Sequence, residues 1–327
     1  NCQKAGIDGV ELHAAHGYLL GSFISPYTNK RTDEYGGSVQ NCCRIVTEII
    51  NGIRAACGRY PICVRINGSD FVEGGITLAY AVEVAKTLEA AGADALNVSC
   101  AVYETVPNMI EPNYYEEGWR KELAKTVKAH VKIPVIAVNT IKFPATAEKL
   151  LEEGVSDFVG VSRGQMADPE WVNKARAGRE DLIRKCMGCM QCNKSVVQDG
   201  YLSCAANPVT GRGTMYNDEY LIRSGAGRNV VVIGGGPAGM QAAITLAKRA
   251  FHVILLEQKS YLGGMAYLAT VPPHKTMVAE FIKTLEAEMK ELGVDVRMNV
   301  TADVATVKAL EPYAVVVANG GMEIVPQ

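Results

Sequence analysis

The chain has 327 residues, of which 48% are hydrophobic and 21% charged, and its formal net charge is -2. This is the composition of an ordinary globular protein, and it excludes a largely disordered chain. The near-neutral charge gives no bulk attraction to nucleic acid or anionic membrane, and no apolar run approaches the roughly 20 residues of a membrane-spanning helix. We therefore expect a cytoplasmic protein of about two domains that binds neither nucleic acid nor membrane.

Residues 1–180 alternate short apolar runs with amphipathic segments. Such runs suit strands that are buried on both faces of a parallel sheet. The predicted strands are Asp8–His13, Pro61–Ile66, Asp94–Ser99, Pro134–Val138 and Asp157–Ser162. Between them, Ala79–Ala91 and Ala145–Glu153 carry apolar residues at helical spacing. The alternation predicts a parallel α/β architecture.

The position of polar residues distinguishes a barrel from an open sheet. A (β/α)8 barrel carries its active site at the carboxyl ends of its strands. The polar residues that end or follow predicted strands are His13, Arg65, Asn67, Asn139 and Arg163. This placement favours a TIM barrel. Because only five strands are visible, we expect residues 1–180 to hold its C-terminal part, strands 4–8.

A dinucleotide-binding pattern begins at Asn229. Gly234, Gly236 and Gly239 match G-x-G-x-x-G directly after an apolar strand and before a helix. The acidic Glu257 ends the next predicted strand. The glycines allow a tight turn and the close approach of a pyrophosphate, while the acid can accept hydrogen bonds from ribose hydroxyls. Residues 229–327 are therefore predicted to begin a Rossmann-like domain that binds FAD or NAD.

Four of the ten cysteines form a third pattern. The other six are scattered, and we interpret them as small buried hydrophobic residues. Cys186, Cys189, Cys192 and Cys204 are spaced C-x2-C-x2-C-x11-C within residues 181–228, which we expect to be a linker with little regular structure. Zinc sites usually show two separated pairs, whereas three close cysteines and a distant one are typical of iron–sulfur ligation. The spacing favours a [4Fe–4S] cluster over zinc or no metal.

A pair of histidines follows the first predicted strand. His13 and His16 are spaced so that both rings can point at one ligand. Zinc is one alternative, although no third ligand is evident nearby. Two neutral imidazoles can also donate N–H bonds to a single oxygen that gains negative charge. Tyr18 then offers a phenolic proton close to the same place.

The run Gly9–Ser38, GVELHAAHGYLLGSFISPYTNKRTDEYGGS, closely resembles the old yellow enzyme family of FMN-dependent oxidoreductases. The cysteine pattern followed by the Gly-rich turn makes the chain similar to the multidomain branch, which includes 2,4-dienoyl-CoA reductase, 2-enoate reductase and trimethylamine dehydrogenase. The resemblance covers nearly the whole chain and implies truncation at both ends. It implies a partial FMN-binding barrel at 1–180, a [4Fe–4S] segment at 181–228 and a partial FAD/NAD(P)-binding domain at 229–327.

The resemblance also implies roles for single residues. His13 and His16 match the pair that holds the substrate carbonyl oxygen, and Tyr18 matches the tyrosine that protonates the α-carbon. Arg65 matches the arginine beside the N1/O2 edge of the flavin. The remaining matches are Asn139, Ser162 and Arg163 for the FMN phosphate, Gly234, Gly236, Gly239 and Glu257 for FAD, and Cys186, Cys189, Cys192 and Cys204 for the cluster.

The activity that the resemblance implies is the reduction of a C=C bond. Electrons would pass from NAD(P)H through FAD and the cluster to FMN, and from FMN as hydride to an α,β-unsaturated carbonyl compound. The expected partners are NAD(P)H and a small enone, enoate or enoyl-CoA, and a homo-oligomer remains open. Three alternatives also remain: amine dehydrogenation, oxidation of NADH by O2, and a truncated fragment without catalytic activity.

Overall fold

The computed structural model describes residues 1–138 and 140–321 of the chain. It divides into two compact units, Asn1–Val161 and Ser162–Gln327. Each unit contains one parallel sheet whose strands alternate with helices, so the predicted α/β class is confirmed. Over these two described ranges, no helix is both long enough and apolar enough to cross a membrane. The predicted domain boundaries at 180 and 228 stay predictions.

The first unit is built on a five-stranded sheet. Its strands are β1 (Val10–Ala14), β2 (Ile62–Asn67), β3 (Ala95–Ser99), β4 (Val135–Ala137) and β5 (Phe158–Val159). Its helices are α1 (Leu19–Ile24), α2 (Val39–Cys57), α3 (Leu78–Ala90), α4 (Val106–Met109), α5 (Lys121–Lys128) and α6 (Pro144–Glu152), with 3-10 turns at Gln3–Ala5 and Tyr103–Thr105. The strands lie side by side in chain order, all parallel. Neighbouring strands of a TIM barrel have this order, and the truncated barrel remains a proposal.

Two aspartates align the strand starts of this sheet in the same way. Asp94 directly precedes β3 and accepts the backbone N–H of Ile62, the first residue of β2, at 2.7 Å. Asp157 directly precedes β5 and accepts the N–H of Val135, the first residue of β4, at 2.9 Å. Each carboxylate therefore accepts the first backbone N–H of a neighbouring strand, a donor that needs a hydrogen-bond partner.

The scattered cysteines differ in burial. Cys42 and Cys43 are buried on α2, and Cys100 is buried directly after β3. Cys2 is exposed, so the interpretation as a buried hydrophobic residue is wrong for this position. It lies in the short N-terminal turn before β1, which buries no residue, and composition alone does not reveal that.

The second unit is built on a four-stranded parallel sheet. Its strands are β6 (Asn229–Ile233), β7 (His252–Glu257), β8 (Asp295–Met298) and β9 (Ala314–Val317). Its helices are α7 (Arg163–Ala167), α8 (Trp171–Arg176), α9 (Gln191–Asp199), α10 (Gly213–Tyr216), α11 (Pro237–Lys248), α12 (Gly264–Leu268), α13 (Thr276–Glu291) and α14 (Val304–Lys308), with a 3-10 turn at Glu180–Leu182. The strand order is β8-β7-β6-β9, so the chain changes direction across the sheet beside β6. Ligands of doubly wound sheets bind at such a switch point.

Alternate residues of β6 face two separate apolar cores. Val232 packs with Met240 and Ile244 of α11 in one buried cluster. Val231 packs with Ile254 and Leu256 of β7 in the other. Because both faces of the sheet are covered, the strand is apolar at four consecutive positions, Val230–Ile233, rather than at every second one, as the sequence indicated.

The expectation of little regular structure in residues 181–228 is wrong in part. Helix α9 occupies Gln191–Asp199, and the segment belongs to the second compact unit. It is held to α13 by Arg184, whose guanidinium forms two hydrogen bonds with the Glu288 carboxylate, at 2.5 and 2.8 Å. The only side chain that α9 buries is Ser195. Because a helix without an apolar stripe lacks the periodic signal, the sequence pattern does not predict it.

Candidate active site and cofactor-binding sites

Polar side chains meet where strands β1–β3 end. His13 of β1 pairs in register with Arg65 of β2, and Arg65 pairs with Asn97 of β3. Paired residues of parallel strands project to the same face of the sheet. The fold therefore groups His13 and Arg65, which the sequence assigned, with Asn97, which it did not. The signal for Asn97 was its polar character at the centre of β3, between the apolar residues Leu96 and Val98.

The loop after β1 brings three predicted catalytic residues together. The ring centroid of His13 lies 5.0 Å from that of His16 and 5.0 Å from that of Tyr18. The chain turns through two left-handed residues, His16 (φ 62°) and Gly17 (φ 74°). Asn67, at the end of β2, accepts the His16 backbone N–H at 3.3 Å and supports this turn. A left-handed non-glycine residue costs roughly 1–2 kcal/mol, and such strain is often found at functional sites.

His16 is held in its neutral form. Burial lowers its pKa to about 3, and the positive charge of Arg65 acts in the same direction. Its Nε2 lies 2.7 Å from Ser99 Oγ, which also accepts a long bond from Arg65 Nη2 at 3.4 Å. Because Arg65 donates to this hydroxyl, the Ser99 proton can point at Nε2, which favours the tautomer with N–H at Nδ1. Ser99 thus orients the ring, a role the sequence did not reveal.

His13 offers a second neutral imidazole. Burial lowers its pKa, as does Arg65, while Glu11 partly opposes them. An imidazole that is neutral at pH 7 carries one N–H donor. The pair can therefore present two N–H groups without placing two positive charges next to Arg65. This is the state that stabilisation of an oxyanion requires.

Two buried polar atoms at the strand ends have no partner among the described residues: Arg65 Nε and Asn97 Oδ1. Buried polar groups are normally hydrogen-bonded, so these two atoms are available to a bound polar group. One is a donor and the other an acceptor, on neighbouring strands in register. The pyrimidine ring of a flavin carries carbonyl acceptors and an N–H donor along one edge. The residues present therefore fit FMN.

The three residues matched to the FMN phosphate cannot all be located. Asn139 lies outside the described residues. Ser162 and Arg163 belong to the second unit, where Ser162 precedes α7 and Arg163 is its first residue. Arg163 lines a cavity with the four clustered cysteines, and its Nη1 lies 3.7 Å from Met190 Sδ. The phosphate assignment of these three residues stays a prediction.

The four clustered cysteines line one cavity: Cys186, Cys189, Cys192 and Cys204. Burial raises the pKa of the Cys186 and Cys204 thiols, and backbone N–H groups oppose the shift at both. At Cys186 this donor is the Gly188 N–H, 3.5 Å from the sulfur. Gly188 and Met190 are both left-handed (φ 64° and 63°), which folds the chain back around the cavity. Donors aimed at sulfur suit thiolates that bind a metal centre.

A single zinc ion and a four-iron cluster place different demands on the four cysteines. Over residues 1–138 and 140–321, no three or more His, Cys, Asp and Glu side chains are arranged to hold a metal ion. Zinc needs all its thiolate ligands about 2.3 Å from one point. A four-iron cluster is bound by four cysteines at four separate irons, so its ligands stand farther apart. Four cysteines around one cavity are the number that a [4Fe–4S] cluster requires, and the choice between the cluster and zinc stays a prediction.

The three glycines of the turn after β6 have different surroundings. A Cβ at Gly234 (φ 105°) would collide with the Ala318 carbonyl oxygen, and one at Gly239 with the Gly234 carbonyl oxygen. A Cβ at Gly236, the residue that caps the N-terminus of α11, would meet no atom within 4 Å. Gly234 and Gly239 therefore keep the turn and the helix packed. The open space at Gly236 is where a dinucleotide pyrophosphate would lie.

Glu257 is buried at the end of β7 and supports this turn. Its carboxylate accepts the Gly235 N–H at 2.7 Å and the Lys259 N–H at 2.8 Å. Each carboxylate oxygen can accept a further bond, so a role toward a ribose remains a prediction. Gly263 and Gly264 were not assigned from the sequence. The Gly263 N–H donates to the Gly235 carbonyl at 2.8 Å, and a Cβ at Gly264 would lie 3.1 Å from the Gly236 Cα.

Three features together define a flavin-type oxidoreductase. They are the polar site at the strand ends, which fits a flavin, the cavity lined by cysteines, and the Gly-rich turn typical of dinucleotide binding. The chain belongs to the NADH:flavin oxidoreductase / NADH oxidase family, whose sequence model matches residues 1–182. The model of FAD dependent oxidoreductases matches residues 229–317. These matches confirm the resemblance that the sequence carried.

Related proteins align with nearly the whole chain. An NADH oxidase of Thermoanaerobacter brockii is 48% identical over 99% of this chain and 50% of its own length. A cinnamate reductase of Clostridium sporogenes is 33% identical over 97% of this chain and 50% of its own length. The structure of a 2-naphthoyl-CoA reductase in complex with 2-naphthoyl-CoA has a TM-score of 0.94 at 32% identity, and it aligns with 99% of this chain and 50% of that chain. The chain thus spans about half the length of these relatives.

Proposed function

We propose that this chain belongs to an enzyme that uses NAD(P)H to reduce the C=C bond of an α,β-unsaturated carbonyl compound. The observation that carries the proposal is the grouping of His13, His16 and Tyr18 next to Arg65. When bound, FAD, a [4Fe–4S] cluster and FMN would accept hydride from NAD(P)H, transfer single electrons and donate hydride to the substrate. The names of the cinnamate reductase and the 2-naphthoyl-CoA reductase support a substrate with a conjugated carbonyl group.

The two histidines would bind the carbonyl oxygen of the substrate. Hydride addition at the β-carbon moves negative charge onto that oxygen, so N–H donors aimed at it bind the transition state more strongly than the substrate. His13 and His16 are both neutral at pH 7 because burial and Arg65 lower their pKa values. Ser99 holds the His16 ring, so little reorganisation is needed when the charge develops.

Tyr18 would deliver the proton to the α-carbon. A phenol can act as a general acid toward a carbanion that forms within its reach. Tyr18 is 47% exposed, and its ring lies against that of His13. The phenol is therefore close to the histidine pair and still open to solvent, from which it can regain a proton after each turnover.

Three groups of residues would hold the cofactors. Arg65, together with the unassigned Asn97, would contact the FMN ring, and Asn139, Ser162 and Arg163 would contact its phosphate. The clustered cysteines would bind the [4Fe–4S] cluster, and the Gly234–Gly239 turn with Glu257 would bind FAD. In this proposal residues 1–180 are part of the FMN-binding barrel, 181–228 the cluster segment and 229–327 part of the FAD/NAD(P)-binding domain.

Oxidation of NADH by O2 is the second candidate, favoured by the 48% identity to an NADH oxidase. It would need no oxyanion donors and no proton donor beside a carbonyl, so it leaves the arrangement of His13, His16 and Tyr18 unexplained. Amine dehydrogenation fits less well. Two N–H donors suit a carbonyl oxygen and would repel a cationic amine.

The test compares electron acceptors in the full-length enzyme. The enzyme is reduced with NADH or NADPH under anaerobic conditions and mixed with enones, enoates and enoyl-CoA thioesters, and flavin reoxidation is followed by stopped-flow absorbance. We expect at least one of these classes to reoxidise the flavin faster than air-saturated buffer does. Reoxidation by O2 alone would establish the NADH oxidase alternative. Flavin reduction by amines without NAD(P)H would establish the dehydrogenase.

A further inference from the structure

Glu11 lies on the same face of the first sheet as His13 and Arg65, and it has no role so far. It is two residues before His13 on β1, so both side chains project to the same face. Glu11 pairs in register with Cys63, and its Oε2 accepts a bond from Asn97 Nδ2 at 2.9 Å. The Cys63 thiol lies 3.5 Å from the same carboxylate oxygen. A carboxylate thus joins the side chains of three neighbouring strands.

The Glu11 carboxylate determines which end of the Asn97 amide is free. An ionised carboxylate only accepts hydrogen bonds, so it binds the NH2 end of the amide. The carbonyl end, Oδ1, is then left buried without a partner, next in register to the equally unpartnered Arg65 Nε. A neutral glutamine at position 11 could bind either end of the amide. The charge of Glu11 is therefore what keeps an acceptor beside the donor.

Glu11 also opposes the charge of Arg65. Within the described part of the chain Arg65 forms no ion pair, and its one hydrogen bond to a side chain is the long contact with Ser99. Burial lowers the Arg65 pKa, while Glu11 raises it and the second cation Arg120 lowers it. Glu11 pairs in register with Cys63, two residues before Arg65 on the same face of the sheet, so its charge offsets part of the positive potential around Arg65.

We propose that Glu11 is a positioning residue that sets both the hydrogen bonding and the charge presented to the FMN ring. It holds Asn97 with its acceptor free, and it offsets part of the Arg65 charge, so that it lowers the reduction potential of bound FMN. The inference rests on the proposed function, since it requires FMN beside Arg65. Reduction adds negative charge to the flavin, and a fixed carboxylate nearby disfavours that charge.

The experiment measures flavin content and reduction potentials in the full-length protein. Glu11→Gln is compared with wild type, with Glu11→Asp, which keeps the charge, and with Glu83→Gln, which removes an exposed charge paired with Lys86 on α3. In reductive titrations against reference dyes, we expect the midpoint potential of one flavin in Glu11→Gln to rise by about 30 mV. For a two-electron reduction this shift favours the reduced form about tenfold. Glu11→Asp and Glu83→Gln should titrate like wild type.

Two outcomes separate this inference from the proposed function. Wild-type protein without FMN would contradict the proposed function itself. Normal FMN content with no positive shift in Glu11→Gln would contradict the inference alone. If Glu11→Gln does not fold, Asn97→Leu tests the same arrangement without a change of charge. We expect its FMN dissociation constant to rise about tenfold, the loss of one hydrogen bond, and an unchanged constant would contradict the inference.

Discussion

Tyr18 and the two histidines beside it act at different steps in the proposed reaction, so single substitutions can separate them. We expect Tyr18→Phe to bind an enone normally but to reoxidise FMN roughly 100- to 10,000-fold more slowly, because only proton delivery is lost. His13→Ala and His16→Ala should both weaken binding and slow reoxidation by roughly 100- to 1,000-fold, because each removes an oxyanion donor. Stopped-flow traces at varied enone concentration give both quantities.

The matched control for this series is Tyr114→Phe, which removes the hydroxyl of another exposed tyrosine. It should behave like wild type. Reduction of FMN by NAD(P)H should remain intact in all four variants, because none of these side chains is assigned to that path. Wild-type reoxidation by Tyr18→Phe at unchanged flavin content would show that another group delivers the proton.

His16 makes the stability of the fold depend on pH. Its folded pKa of about 3 lies below the value of 6.5 for an unperturbed histidine. Between these values only the unfolded chain takes up the proton, so stability is lost as pH falls below 6.5, by up to about 1.4 kcal/mol per pH unit. Lowering the pH from 7.5 to 5.5 should therefore destabilise wild type by about 1.4 kcal/mol more than His16→Gln.

Urea denaturation at the two pH values, followed by circular dichroism, measures this difference. His130→Gln is the control, since His130 is exposed and its variant should keep the wild-type dependence on pH. An equal loss of stability in wild type and His16→Gln would mean that His16 is protonated in the folded protein. It would then not be the neutral donor that the proposed reaction requires.

At the level of single elements, the turn between β6 and α11 contains glycines that serve different purposes. Gly236→Val should fold normally and lose FAD, because its side chain would enter the open space left for the pyrophosphate. Gly234→Val and Gly239→Val should instead lower the melting temperature, because their side chains would collide with the backbone. Flavin analysis and thermal denaturation of the three variants check this. Normal FAD content in Gly236→Val would place the cofactor elsewhere.

The segment with the clustered cysteines is the second element open to a direct test. We expect about four iron and four labile sulfide per full-length chain. Cys189→Ala should lose both and stop turnover with NAD(P)H, whereas Cys43→Ala, which changes a buried cysteine of α2, should keep the metal. Metal analysis and visible absorption measure the result. One zinc per chain in wild type would contradict the cluster.

At the level of the whole molecule, we expect one FMN and one FAD in the full-length protein. Arg163 tests this division, because it is matched to the FMN phosphate and also lines the cysteine cavity. Arg163→Ala should lose FMN and keep FAD and iron, the reverse of Gly236→Val. The FMN, FAD and iron contents of both variants, measured after extraction, check this prediction. Loss of iron with FMN retained would assign Arg163 to the cluster instead.

Much of the local structure follows from the sequence. All five apolar runs of the first unit contain strands, and Ala79–Ala91 and Ala145–Glu153 correspond to α3 and α6 with shifts of one residue. Strands and helices of this kind depend on the spacing of apolar side chains along the chain, and that spacing can be read directly from the sequence. Helix α9 was missed because it buries a serine rather than an apolar stripe.

By itself, the sequence determined the class of fold, the family and the position of each motif. Each apolar run, Gly-rich turn and cysteine pattern involves residues that are close together in the chain, so it can be interpreted from the sequence alone. Only the tertiary structure decided which distant side chains share a site. Glu11 and Asn97 are 86 residues apart, and His16 and Ser99 are 83 apart, yet each pair forms a hydrogen bond. The lateral register of parallel strands joins them, and no local pattern in the chain encodes that register.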